Sequence, residues 1–235
     1  MRNEVDGTAA LKKQRTTNIK RRERSHVALL ASAEKMFVKK GFHRTTIDDI
    51  AAGAELTKGS IYFHFKDKHQ LLLSLLERAD ARVMKPILAG MKDQSISPKA
   101  RIIQFLNSWA LAAAVQRNTM FLPILMSFEF LDDDGEIAKH IGRSYDRAYA
   151  TLEKVFEEGQ ADGSIPDSNP PREQAAILIA LADGMLLEWL RRADHFDGVS
   201  ASQAIRSLVM SGLSFPDDEA RELSLVRKVI PFASH

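Results

Sequence analysis

The sequence predicts an all-α fold, with an N-terminal three-helix helix-turn-helix domain followed by a larger C-terminal helical domain. Three observations predict it. Apolar residues recur at three- and four-residue spacing through most of the chain. No stretch sustains the alternation of a strand. Charge divides unevenly, with 15 Lys and Arg against 8 Asp and Glu in residues 1–70, and 18 against 23 in the remainder. One end is suited to a polyanion and the other is not.

Residues 1–24 are polar and rich in Lys and Arg, including Lys12, Lys13, Arg15 and the run from Lys20 to Arg24. They are expected to form a basic flexible arm that attracts phosphate. Residues 25–70 are expected to form the helix-turn-helix domain and 71–235 the second domain. From Ser25, the residues Val27, Leu30, Ala33, Met36 and Phe37 share one helical face, and Lys39, Lys40 and Gly41 end the helix. A two-turn helix follows, capped by Thr45 or Thr46, with Ile47, Ile50 and Ala51 inward and Gly53 as its stop. After the turn 53–56, Thr57 caps a second short helix that buries Ile61 and Phe65. Its other face shows Lys58, Ser60, Tyr62 and His64, followed by Lys66 and Lys68, which are donors suited to phosphates and base edges. Asp67 and Gln70 form a capping pair for a longer helix through Leu72, Leu76 and Val83, with Pro86 near its end.

The stretch IAAGAELTKGSIYFHFKDKHQLL resembles the signature of the TetR family of transcriptional regulators. The resemblance implies that Thr46 and the amides beside it hold a phosphate and that Lys58 meets a base edge. Gly59 admits close backbone approach, Tyr62, His64 and Lys68 clamp phosphates, and Ser60 and Phe63 fall where base contacts vary. The chain departs from the pattern at Glu55, where glycine is usual in the turn, and at Phe63, where tyrosine is frequent. A left-handed Glu55 costs on the order of 1 kcal/mol.

In the second domain, helices are expected over Pro98–Gln116, Met120–Leu131 with Pro123 beginning or kinking it, and from a cap within Asp132–Asp134 to about Gly159 or Gly163. A further helix begins at the prolines after Asn169 and is apolar almost all round, so it needs cover on two faces. Ser200 and Gln203 cap another. The family resemblance implies a homodimer built from these last two helices. The tail 217–235 has no assigned place.

Chemistry narrows the function. The chain has no cysteine, which excludes disulfides and thiolate sites and fits a cytoplasmic setting. No apolar run reaches membrane-spanning length, and no signal peptide is visible. No phosphate-cradling glycine loop, HExxH pair or GxSxG elbow appears, so no enzyme activity, cofactor or metal is expected. Asp132, Asp133, Asp134, Glu136 and His140 read better as an acidic helix start than as metal ligands. A cavity lined by some of Phe105, Trp109, Phe121, Met126, Phe128, Tyr145, Met185 and Trp189 would suit a small hydrophobic or amphipathic effector. The expectation is a homodimeric regulator of double-stranded DNA, a repressor by resemblance, that binds a palindromic operator and is released by such a ligand. The alternatives are an activator, a regulator controlled by a protein partner, or a small-molecule enzyme or carrier tethered to DNA.

Overall fold

The computed structural model describes the backbone of residues 3–192 and 195–213, and side chains from residue 18 onward. Among these residues the chain is helical without strands, in the order α1 Asn3–Lys40, α2 Ile47–Gly53, α3 Lys58–His64, α4 Lys68–Ala79, a π-helical turn Asp80–Met84, α5 Lys85–Gly90, α6 Pro98–Val115, α7 Arg117–Glu129, α8 Glu136–Ala161, α9 Pro171–Arg191 and α10 Gly198–Gly212. The tail 217–235 lies outside the described residues.

The N-terminal segment differs from the expected flexible arm, because α1 starts at Asn3 rather than Ser25. Ala, Leu, Lys, Arg and Glu are strong helix formers, and between Gly7 and Gly41 no glycine or proline stops them. The helix propensity of this stretch prevails over the mutual repulsion of its charges.

The reading domain is built on close contacts. Gly53 lets α2 lie against α1, since a Cβ there would come within 2.5 Å of Ser32 Oγ, a hydroxyl that donates to the Ile50 carbonyl at 2.8 Å. The α2–α3 turn is a Schellman closure: Leu56 N–H donates to Ala51 O and Glu55 N–H to Ala52 O. That closure needs a left-handed residue, and Glu55 takes φ +57°, at a cost of about 1 kcal/mol relative to glycine.

Two hydrophobic cores stand side by side. The first joins Leu29, Phe37, Ile50, Ile61, Leu71 and Leu75 of the head to Leu122 and Met126 of α7, Phe130 just after it, and Ile137 and Ile141 of α8. The second gathers Ile102, Phe105, Phe121, Leu152, Phe156 and Leu178 of the body. Three expected details change. The long helix after Asp67 is interrupted at 80–84, where Pro86 has no N–H for the Arg82 carbonyl and its ring crowds that carbonyl. Pro123, by contrast, lies inside α7, one of the two placements expected of it. Gly135 takes the N-cap position of α8, while Asp197, accepting from Val199 N and Ser200 N, caps α10 in place of Ser200.

Candidate nucleic-acid interface

The outward face of α3 carries Lys58, Gly59, Tyr62 and Phe63, with Lys66 just beyond. Tyr62 and Phe63 are 53% and 65% exposed, too much for core residues. A Cβ on Gly59 would meet only Thr57 Oγ1, at 3.7 Å. Packing within the chain thus does not require glycine there, whereas close approach of a partner backbone would. Ser60 is half-buried and its hydroxyl lies 3.0 Å from the capping Thr57 hydroxyl. Lys58 Nζ reaches Asp48 at 3.2 Å, an exposed pair that contributes little and yields readily to a stronger anion.

Helix α1 buttresses this face. Ser25 Oγ and His64 Nε2 lie 2.8 Å apart, His26 stacks on Phe65 with centroids 5.2 Å apart, and the Arg22 guanidinium lies 4.9 Å from the Phe63 ring centroid. Burial, then the charges of His26 and Arg22, holds the His64 pKa below its usual value, so the ring favours its neutral form. Lys20, Arg21, Arg22 and Arg24 are exposed on the same helix.

Three expected contact residues are placed differently. Thr45 is 1% exposed, and its hydroxyl donates to Gly41 O at 2.7 Å and Met36 O at 3.3 Å. Lys68 turns inward over the Phe42 ring and donates to Phe42 O at 2.8 Å and Thr45 O at 2.9 Å. Burial lowers its pKa, with Glu129 acting in the other direction. Thr46 is exposed and caps α2, but the Asp49 carboxylate already accepts from Thr46 N. That carboxyl is held down to about 2 by Lys40 first and by Thr46 next. The chain's own carboxylate therefore already engages the Thr46 amide.

The loop 42–45 is gripped from both sides. While Lys68 of α4 holds its carbonyls, Glu129 of α7 accepts from Phe42 N–H at 2.9 and 3.0 Å and from His43 N–H at 3.2 Å. A second link joins α7 to α1, where Thr119 Oγ1 donates to Glu34 at 2.7 Å.

A cavity of about 40 Å³ lies on the seam between the two cores. Leu76 of α4 and Ile141 of α8 belong to the head's core, and Val83, Trp109, Met120 and Ile124 to the body's. Ala79, Met84 and Pro123 complete its apolar wall. Most polar side chains on the lining are partnered. Asp80 accepts from Ser144 at 2.9 Å and Arg147 at 2.6 Å, Thr119 is bonded to Glu34, and Tyr145 donates to Asp183 at 2.8 Å. Burial lifts the Asp183 carboxyl to about 6, against the lowering effect of the Tyr145 hydrogen bond.

Of the residues expected to line a pocket, Trp109 and Tyr145 do so. Phe105 and Phe121 are closed in the body core, and Met126 is buried in the head's core. Phe128 is 64% exposed. Met185 and Trp189 pack against the body core, with the Arg117 guanidinium 4.9 Å from the Trp189 ring. Sequence reading missed Asp80, Thr119, Ser144 and the role of Glu129. Asp80 carried a usable signal, an acid in a run of otherwise inward-facing positions. Among the described residues no three His, Asp or Glu side chains converge on a metal position; Glu136 instead pairs with Arg143 at 2.7 Å.

Residues 29–75 match the profile of bacterial regulatory proteins of the tetR family, and residues 132–214 that of the BetI-type transcriptional repressor C-terminal domain. The MbdR regulator from Azoarcus sp. CIB is 35% identical, with 81% of this chain and 100% of that chain covered at a TM-score of 0.75. The chain belongs to the TetR family. It is similar to the HTH-type transcriptional repressor BepR of Brucella suis, 25% identical over 80% of this chain and 91% of that protein. FadR of Bacillus subtilis, solved with stearoyl-CoA, shares the fold at a TM-score of 0.64 and 21% identity, covering 80% of this chain and 99% of that one. This TetR-family chain is thus a transcriptional regulator with a helix-turn-helix head, and no helix among its described residues is long and apolar enough to cross a membrane.

Proposed function

We propose that this regulator is a repressor that binds a palindromic DNA site as a homodimer and is released by a small hydrophobic or amphipathic ligand. The observation that carries the reading is the position of the cavity. It is lined by α4 and α7, the two helices whose Lys68 and Glu129 grip the loop leading into α2. A ligand wedged between the cores moves those helices, and through the loop it reorients α2 and α3. It acts to the extent that it binds the displaced state better than the DNA-bound one.

Lys58, Ser60, Tyr62, Phe63 and Lys66 are the proposed DNA contacts, with Gly59 admitting close approach; His64 orients α3 from behind. The dimer rests on α9 and α10, where Ile177, Leu181 and Leu208 are exposed at 62%, 37% and 68%. A cavity of about 40 Å³ is well below the roughly 300 Å³ of a typical ligand site, so binding requires the walls to part. The flexible Met84 and Met120 side chains suit that movement. The same small volume favours a second reading, control by a protein partner.

The test is selection of fragments of the source genome by the purified protein at two salt concentrations, with Tyr62→Ala alongside. The expected result is a recurring palindrome that the variant fails to enrich. Weak, salt-sensitive and sequence-blind binding by both proteins would overturn the reading.

A further inference from the structure

The cavity lining leaves two nitrogens without a hydrogen-bond partner, Trp109 Nε1 and His140 Nε2, both inaccessible to solvent. Trp109 is 4% exposed, and its N–H meets no acceptor of the protein. A buried donor left unmade is costly, and native chains rarely keep one without a use. Here two border the same cavity. An indole N–H only donates, and His140 donates from Nε2 in the corresponding tautomer.

Charge on the lining selects further. No Lys or Arg side chain borders the cavity, and Asp80 does. Arg147 at 2.6 Å and Lys85 at 3.9 Å are both held on that carboxylate. An anionic ligand would lose its hydration in apolar surroundings with no unengaged cation on the lining to offset the loss.

We infer that the cavity takes an apolar molecule bearing one neutral oxygen acceptor, of the ketone, ester or thioester class, with the oxygen received by Trp109 Nε1–H and His140 Nε2–H. This rests on the cavity being the ligand site of the proposed regulator. A hydrocarbon of the same shape leaves both donors unpaired, and a carboxylate gives up its hydration without gaining a cation.

Three probes of one shape separate these cases: acetophenone, α-methylstyrene and benzoate. They are titrated into the full chain by calorimetry and by the quenching of tryptophan emission, and then into its DNA complex. Acetophenone is expected to bind about tenfold more tightly than α-methylstyrene and more tightly than benzoate. Trp109→Phe and, independently, His140→Leu are expected to reduce the preference for the ketone over the hydrocarbon, with thermal melting as the control for folding. The inference fails if α-methylstyrene binds within threefold of acetophenone, if benzoate binds best, if the preference survives both substitutions, or if no probe binds. Ketone preference without loss of DNA upholds the ligand class and refutes release by ligand. Release that is indifferent to Trp109 and His140 does the reverse.

Discussion

Lys68 shows how a residue type acquires its role from its surroundings. At the start of α4 its part-buried ammonium caps two loop carbonyls, bonds of the charged kind that, discounted for solvent, together contribute roughly 1–3 kcal/mol. Lys68→Ala is therefore expected to lower folding stability by roughly 1–3 kcal/mol and to weaken all DNA sites alike. The slope of affinity against salt should stay unchanged. A lysine on a phosphate would instead reduce that slope by about one, so anisotropy titrations across salt decide between the roles. The sequence could place Lys68 but not aim it, because its target is a pair of backbone carbonyls 23 and 26 residues earlier. The outward placement of Lys58 and Tyr62 follows from Ile61 and Phe65 facing inward, whereas Phe63 was pointed to only by the family resemblance. Asp183 offers a second prediction. Its carboxyl is raised to about 6 in the fold from near 3.9 when unfolded, so its stabilising contribution is full below about pH 4 and is lost as pH rises through 6. Asp183→Asn keeps an acceptor for Tyr145 and is expected to add on the order of 2–3 kcal/mol at pH 7 relative to the parent, with little gain at pH 4. Denaturant titrations at the two pH values measure it.

At the scale of elements, α4 and α7 converge on one loop from opposite faces. The carboxylate of Glu129 serves both Phe42 and His43 amides, and its removal strands those donors at a cost of about 1–3 kcal/mol. Because Lys68 grips the same loop, Glu129→Ala and Lys68→Ala are expected to be non-additive by at least about 0.5 kcal/mol in a double-mutant cycle on DNA affinity. Additive losses would show that the two helices act separately. Helix existence was readable almost everywhere, from apolar spacing and from caps such as Thr57 and Asp67. Besides the caps of α8 and α10, two boundaries were not: the start of α1, where propensity outweighs charge, and the interruption before Pro86, where an α-helical register cannot accommodate the ring. The cavity was legible only in part. Trp109 and Tyr145 are large and inward and Asp80 is an acid among inward-facing apolar positions, but Thr119 and Ser144 reach the lining through tertiary packing that no local pattern encodes.

For the whole molecule, the outer face of α9 is the test of assembly. Ile177 is 62% exposed on a helix whose other side is core, and an apolar stripe of that kind is normally covered. Ile177→Glu is expected to shift the protein to monomer in sedimentation analysis and to reduce affinity for a palindromic site by at least about tenfold while leaving half-site binding intact. An unchanged sedimentation coefficient would place the interface elsewhere. The division of charge is read on the same scale, since the acidic body turns the protein so that the head meets DNA first.

The π-helical turn at Asp80–Met84 sets an angle as well as accommodating a proline. One residue advances an α-helix by about 100°, so the extra residue held in that turn fixes the rotational phase at which the head is mounted on the body. Removing a single residue from it would set that phase against α7 and α8, whose side chains enter both cores, so one core or the other would have to repack. The mount is thereby keyed twice, once by the turn and once by the shared helices, and a change in the step between half-sites of a proposed dimer has to pass through both.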